Sequence, residues 1–291
     1  MINKKETNED QKKPRKDFFF SMGDEKGEHD KSSKFLLSSD TLSGYGLDLM
    51  FKITKKCEFD GIDLAIWKNF DSWNSEYVKE LSDKYDLPIK VVQVSSNVNE
   101  KEMSKALDIC YNTGADTITI NAPKIFNLKS YNYILDNINR LKKENKNINF
   151  AIINPEDSNL FMLPIPKYRF VNLVEIIKKY SCYLGLDVAN MDSNAFENDF
   201  MRKLKEFCPY IAVLYLSDKT RLGQGHVAPG EGTLKLPLFL KKLKQYGFRR
   251  YISTKINISK SDLSDKDKVE LILKKTRKYF IENYENLTDD S

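Results

Sequence analysis

Eight times along this chain a short apolar run is followed by an amphipathic stretch. No other feature limits the available folds as tightly. The runs are "FLLSS" (35–39), "GIDLAIW" (61–67), "PIKVVQVS" (88–95), "DTITINAP" (116–123), "INFAIINP" (148–155), "CYLGLDVA" (182–189), "YIAVLYLS" (210–217) and "RYISTKIN" (250–257). They read as strands that are apolar on both faces, as expected when helices cover a parallel sheet. Between them lie helical patterns such as Leu47 to Lys56, and "EKEMSKALDICYNTG", which stops at Gly114. Regular strand–helix alternation implies right-handed crossovers. Eight such units predict a single (β/α)8 barrel over residues 34–285. An open doubly wound sheet is the competing arrangement, but no GxGxxG follows the first strand. Residues 1–33 are polar and charged and read as a disordered leader, with 286–291 as a short tail.

Composition narrows the setting. The chain is 41% hydrophobic and 31% charged, as in water-soluble globular proteins. No apolar run approaches the roughly 18 residues a membrane span needs. "DFFFSM" (17–22) is hemmed in by charge and too short for a signal-peptide core. Cys57, Cys110, Cys182 and Cys208 form no CxxC pair, which argues against structural zinc and for reduced thiols in a cytoplasm. A net charge of +5 permits an acidic small molecule without demanding nucleic acid, and it leaves oligomerisation open. "KKPRK" (12–16) reads either as a contact arm for an anionic surface or as a solvated tail.

Barrels place their chemistry where strands end at the C-terminal face. Those positions here are Ser39, Asp40, Asp63, Gln93, Ser95, Asn121, Asn154, Asp187, Tyr215, Asp218 and Lys255. The loop after the seventh strand, "GQGHVAPGEG" (223–232), holds His226 and Glu231, and the only other histidine is His29 in the leader. Its glycines either cradle a phosphate or shape an active-site rim; the GxxxxGK[ST] pattern of a nucleotide loop is missing. Asp218 either orients a substrate hydroxyl or caps the loop, and Asp63 either binds substrate or bonds within the mouth. Trp67 and Phe70 wall a sugar pocket or simply pack. Tyr215 is a proton donor or a packed ring with a satisfied hydroxyl.

"FDGIDLAIW" (59–67), "LGLDVAN" (184–190), "LYLSD" (214–218) and "GHVAPGEGTLKLPLFLKKLKQYGF" (225–248) resemble the xylose isomerase-like TIM barrels. That superfamily includes sugar-phosphate isomerases and epimerases and the endonuclease IV type of repair enzyme. The resemblance implies one divalent metal at the mouth, held by Glu, Asp, His and Glu after strands five to eight. It also implies that two glutamates act as acid and base beside a metal-polarised carbonyl. Carried over residue by residue, the Asp is Asp187, but the other ligands fall on Ile153, Tyr215 and Lys255. Glu156 and Asp157 lie just beyond strand five, yet the region's one histidine is His226. The expectation is therefore no metal and no other cofactor. A three-zinc endonuclease site is excluded by the scarcity of histidine.

Lys255 in that position either replaces the ion as a structural partner of Asp187, or binds a substrate carboxylate or phosphate, or attacks a carbonyl as a Schiff-base lysine. The implied function is a sugar phosphate isomerase/epimerase-like protein acting on or binding a small carbohydrate or sugar phosphate. Asp187, Lys255, His226 and Glu231 are the candidate catalytic residues. Asp63, Trp67, Asn121, Asn154, Tyr215 and Asp218 are the candidate substrate-binding residues. The alternative is a non-catalytic barrel serving as a scaffold or interaction protein.

Overall fold

An apolar run with two faces to bury needs partners on both edges and layers on both sides, and a closed ring of strands supplies them. The computed structural model describes residues 32–121, 128–156, 159–160, 163–164, 175 and 177–287. Eight parallel strands close into a barrel in sequence order, as the alternation predicts. They are β1 (Lys34–Ser38), β2 (Gly61–Ala65), β3 (Ile89–Val94), β4 (Thr117–Asn121), β5 (Asn149–Ile153), β6 (Tyr183–Asp187), β7 (Ile211–Leu216) and β8 (Tyr251–Thr254). Lys34 to Leu37 pair with Tyr251 to Thr254, which joins β8 back to β1.

The core has two parts, set by which way alternate residues point. Phe35, Leu37, Ile62, Leu64, Val92, Ile118, Phe150, Leu186, Leu214 and Ile252 face outward and form one cluster with the helices. Leu36, Val91, Ala151, Ile153, Tyr183, Val213 and Tyr215 form a separate cluster, the barrel's own filling. The two-residue alternation makes Ile153, Gly185, Asp187, Tyr215 and Ser253 inward positions of their strands, and Lys255, just past β8, continues that parity.

The helices follow their sequence signals. Leu47–Lys56 buries Leu47, Met50, Phe51 and Thr54, the spacing of one helical face. Glu100–Thr113 begins where the Asn99 side chain accepts from the Glu102 amide, and it ends at Gly114 with φ of 76°. The C-terminal helix Lys266–Phe280 stacks Phe280 on Phe35 of β1, ring centroids 4.1 Å apart.

Most of the polar leader, like the end of the tail, lies outside the described residues. Ser33, which composition places in the leader, is buried, and its hydroxyl lies 2.9 Å from that of Tyr284. No helix among the described residues is long and apolar enough to cross a membrane.

Candidate active site

The barrel mouth gathers charge around Asp187, the last residue of β6, which is fully buried. Asn154, just past β5, fixes its backbone from both sides. Asn154 Oδ1 accepts from the Asp187 amide at 2.6 Å, and Asn154 Nδ2 donates to the Asp187 carbonyl at 3.0 Å. Asn190 Nδ2 in turn donates to the Asn154 carbonyl at 2.8 Å. Asp187 Oδ1 accepts from the Ala189 amide at 3.2 Å. Asp187 Oδ2 has no hydrogen-bond partner among the described residues.

Two nitrogens flank that oxygen. Lys255 Nζ and His226 Nε2 each lie 3.9 Å from Oδ2. Lys255 Nζ also lies 3.7 Å from Asp40 Oδ2, and Lys68 Nζ lies 2.9 Å from Asp40 Oδ1. The Lys255 ammonium sits over the Tyr215 ring, 5.8 Å from its centroid. A cation there gains from the ring face as well as from the carboxylates. Lys255 and Asp187 thus meet, as sequence parity implies.

His226 arrives by a route the sequence did not disclose. Gly225–Val227 pairs antiparallel with Asp218–Lys219, folding the loop back over the mouth. His226 adopts φ of 60°, uncommon for a residue with a side chain. Its carbonyl accepts from the Asn257 amide at 2.7 Å, and Nδ1 lies 3.2 Å from Ser217 Oγ. Backbone strain of this kind costs about 1–3 kcal/mol and persists where the surroundings impose it. Here the ribbon and Asn257 impose it.

Asp218 caps the loop. Its Oδ1 accepts from the amides of Leu234 at 3.0 Å and Lys219 at 2.8 Å, and its Oδ2 from Gly230 at 3.1 Å. A carboxylate so committed has little capacity left for a substrate hydroxyl. The loop's glycines serve that same arrangement. Gly230 has φ of +88°, and a Cβ on Gly232 would stand 2.3 Å from Asp218 Oδ1. The amides of Gly223 and Glu231 are spent on the carbonyls of Thr220 and Ala228. These two amides and that of Gly230 already donate within the loop and are not free for a phosphate.

The remaining candidates divide. Asp63 is fully buried; Gln93 Nε2 at 2.6 Å and Ser253 Oγ at 2.7 Å both donate to its Oδ2, while Oδ1 has no partner among the described residues. Burial pushes its carboxyl up to about 7, against those two hydrogen bonds, which pull it down. Tyr215 is a packed ring, fully buried, with its hydroxyl 2.8 Å from Thr119 Oγ1. Burial holds that phenol well above its ordinary value. Asn121 Nδ2 donates to the Val94 carbonyl at 2.9 Å and braces β4 against β3. Trp67 is half-buried just beyond β2, and Phe70 is exposed. Glu231 is exposed and forms no ion pair with His226 or Lys255, so the structure does not bring it into the cluster. Ser217, Ser253 and Lys68 belong to the site but carry no sequence signal of their own.

A family model described as "xylose isomerase-like TIM barrel" matches residues 51–279. The chain belongs to that family. Its fold is shared with solved structures of low sequence identity. A D-allulose 3-epimerase from Methylomonas sp., in complex with D-allulose, is 14% identical with a TM-score of 0.63, over 87% of this chain and 98% of that one. The IOLI protein, solved with a binding zinc atom, is 17% identical with a TM-score of 0.66, over 87% and 100%. A D-tagatose 3-epimerase-like protein is 21% identical with a TM-score of 0.58, over 86% and 98%. Among curated proteins no sequence matches the chain.

A divalent ion of the kind associated with xylose isomerase-like barrels does not suit this mouth. Ile153 at the end of β5 is an apolar part of the barrel filling, and the Tyr215 hydroxyl is turned to Thr119. An ammonium stands 3.9 Å from the one retained carboxylate. Among the described residues no three His, Cys, Asp or Glu side chains gather as a metal centre requires. Glu156 is exposed, and Asp157 lies outside the described residues. The carboxylates of Asp187 and Asp40 are already matched by the ammonium of Lys255, which stands 3.9 Å from the first and 3.7 Å from the second and opposes a hard dication there.

Proposed function

We propose that the mouth binds a small carbohydrate or sugar phosphate and moves a proton on the carbon beside its carbonyl, as an isomerase or epimerase does. In this reading the ammonium of Lys255 supplies positive charge in place of a divalent ion. One oxygen carries the proposal. Asp187 Oδ2 is buried and unpartnered among the described residues, with an ammonium and an imidazole each 3.9 Å away. At that distance neither hydrogen-bonds to it directly. A sugar hydroxyl, which donates and accepts at once, satisfies such an arrangement: it donates to Oδ2 and accepts from Lys255 Nζ.

The chemistry follows from the placement. When a proton leaves the carbon beside a carbonyl, negative charge develops on the carbonyl oxygen. A fixed ammonium aimed at that oxygen stabilises it, an effect of about 100- to 1,000-fold for one well-placed donor. The proton needs a base. His226 Nε2 serves if Nδ1 holds the ring proton and donates it to Ser217 Oγ, a tautomer consistent with their 3.2 Å separation. Asp187 then positions both partners without itself reacting. Trp67 offers an apolar wall for a sugar ring, and Asp63 acts from beneath. The four cysteines are buried and form no disulfide, which suits a reducing compartment such as the cytoplasm.

The test is proton exchange. Wild-type protein in D2O with a panel of ketoses and ketose phosphates, followed by NMR, is expected to label the carbon beside the carbonyl of one of them. Lys255→Met and His226→Ala are expected to abolish labelling while the fold persists. Binding without exchange would contradict the enzymatic half of the proposal. Neither binding nor exchange, in folded protein, would contradict it entirely and leave the barrel as a scaffold.

A further inference from the structure

Two buried acceptors beneath the mouth lack donors. Asp63 on β2 and Gln93 on β3 are both fully buried. Gln93 Nε2 donates to Asp63 Oδ2 at 2.6 Å and to Ser38 Oγ at 2.9 Å, and Ser253 Oγ donates to the same Oδ2 at 2.7 Å. What remains is one oxygen of each residue, Asp63 Oδ1 and Gln93 Oε1, and neither has a partner among the described residues. A buried polar atom left unsatisfied has given up its hydrogen bonds to water without replacement, so two together call for a physical reason.

We infer that Asp63 is held as a neutral carboxylic acid whose Oδ1 hydroxyl donates to Gln93 Oε1, closing an acid–amide pair beneath the mouth. A carboxylic acid and a primary amide pair in a ring: the amide N–H meets the acid's carbonyl oxygen, and the acid's hydroxyl meets the amide oxygen. The first half of that ring is the 2.6 Å contact from Nε2 to Oδ2. In the inferred pair the second half is the Oδ1 hydroxyl on Gln93 Oε1, which gives both orphaned atoms a partner. Turning the Gln93 amide over does not help. It would set oxygen against oxygen at Oδ2 and remove the donor to Ser38.

The charges around Asp63 agree. Lys255 pairs with Asp40 and Asp187, and Lys68 pairs with Asp40, so two lysines are matched by two aspartates. Asp63 forms an ion pair with neither. The charged or titratable groups acting on it are Lys255 beyond β8, Asp40 beyond β1 and Tyr215 on β7. Desolvation outweighs the two hydrogen bonds and the attraction of Lys255, lifting the carboxyl to about 7. A neutral Asp63 is thus a positioning residue. It holds Ser253, two residues before Lys255, and does not compete for the ammonium that Asp187 and Asp40 share. This inference stands apart from the proposed reaction.

The consequence for pH has a definite sign. The folded value near 7 lies above the unfolded value of about 3.9. The contribution to stability is complete below about pH 4, is lost as pH rises through about 7, and stays flat beyond. Infrared difference spectra of wild-type protein carrying 13C-labelled aspartate, recorded between about pH 6 and 8, are expected to show one protonated carboxyl band disappearing. In Asp63→Asn the new amide donates to Gln93 Oε1 as the hydroxyl did. The variant is therefore expected to fold, to lose that band, and to lose the fall in denaturation midpoint between about pH 4 and 7. Absence of any carboxyl titrating in that range in wild-type protein would overturn the inference, whether or not the variant folds. An unchanged pH slope in a folded Asp63→Asn would overturn it independently.

Discussion

Lys255 and Asp187 are expected to behave as one thermodynamic unit. Their nearest charged atoms are 3.9 Å apart, with Asp187 fully buried and the Lys255 side chain 17% exposed. At an effective dielectric constant of about 20, unit charges at that distance attract by about 4 kcal/mol. Removing one member of a buried pair typically costs about 3–5 kcal/mol, because the other charge is stranded; an exposed pair is worth about 1 kcal/mol or less. Asp40 shares the lysine and His226 stands equally near Asp187, which softens the loss. Lys255→Met and Asp187→Asn should therefore each destabilise by about 3 kcal/mol, and the double variant should lose at least about 2 kcal/mol less than their sum. Urea denaturation of all four proteins at one pH measures this, provided the slope with denaturant is unchanged. Strictly additive losses would refute the pairing. Lys255→Glu should be worse than Lys255→Met, since it sets a second carboxylate beside the first.

Two further outcomes test the loop. Gly232→Ala should destabilise by about 1–3 kcal/mol, because its Cβ would stand 2.3 Å from Asp218 Oδ1 and displace a carboxylate holding three amides; an unchanged thermal midpoint would contradict that role. Glu231→Gln should change neither the thermal midpoint nor ketose binding followed by calorimetry, since the side chain is exposed and outside the ion-pair cluster; a loss of binding would return Glu231 to the site.

The barrel was legible because its signal is redundant. Eight alternations of strand and helix leave few topologies, and an error in one would have left the others intact. The Lys255–Asp187 meeting was legible for a related reason: both stand at strand ends, where parity fixes direction. Ribbon Asp218–Lys219 with Gly225–Val227 was not legible, since strands of two or three residues carry no periodicity. Without that ribbon the residue types alone do not tell a capping Asp218 from a substrate-binding one, nor separate Glu231 from His226 five positions before it. The carboxylate of Asp218 is committed by amides up to sixteen positions away, and a side chain at a tight turn points wherever the turn sends it. Ser217, Ser253 and Lys68 are residue types common on any surface or strand, and only three-dimensional proximity marks them out.

In the proposed function the Lys255 ammonium takes the role that a divalent ion plays in xylose isomerase-like barrels, and the metal content of the protein decides between the two. Elemental analysis of the protein, purified without chelator and after incubation with Mn²⁺, Mg²⁺, Zn²⁺ and Co²⁺, is expected to find each far below one equivalent. A stoichiometric ion in the wild-type protein, lost on Asp187→Ala, would contradict it.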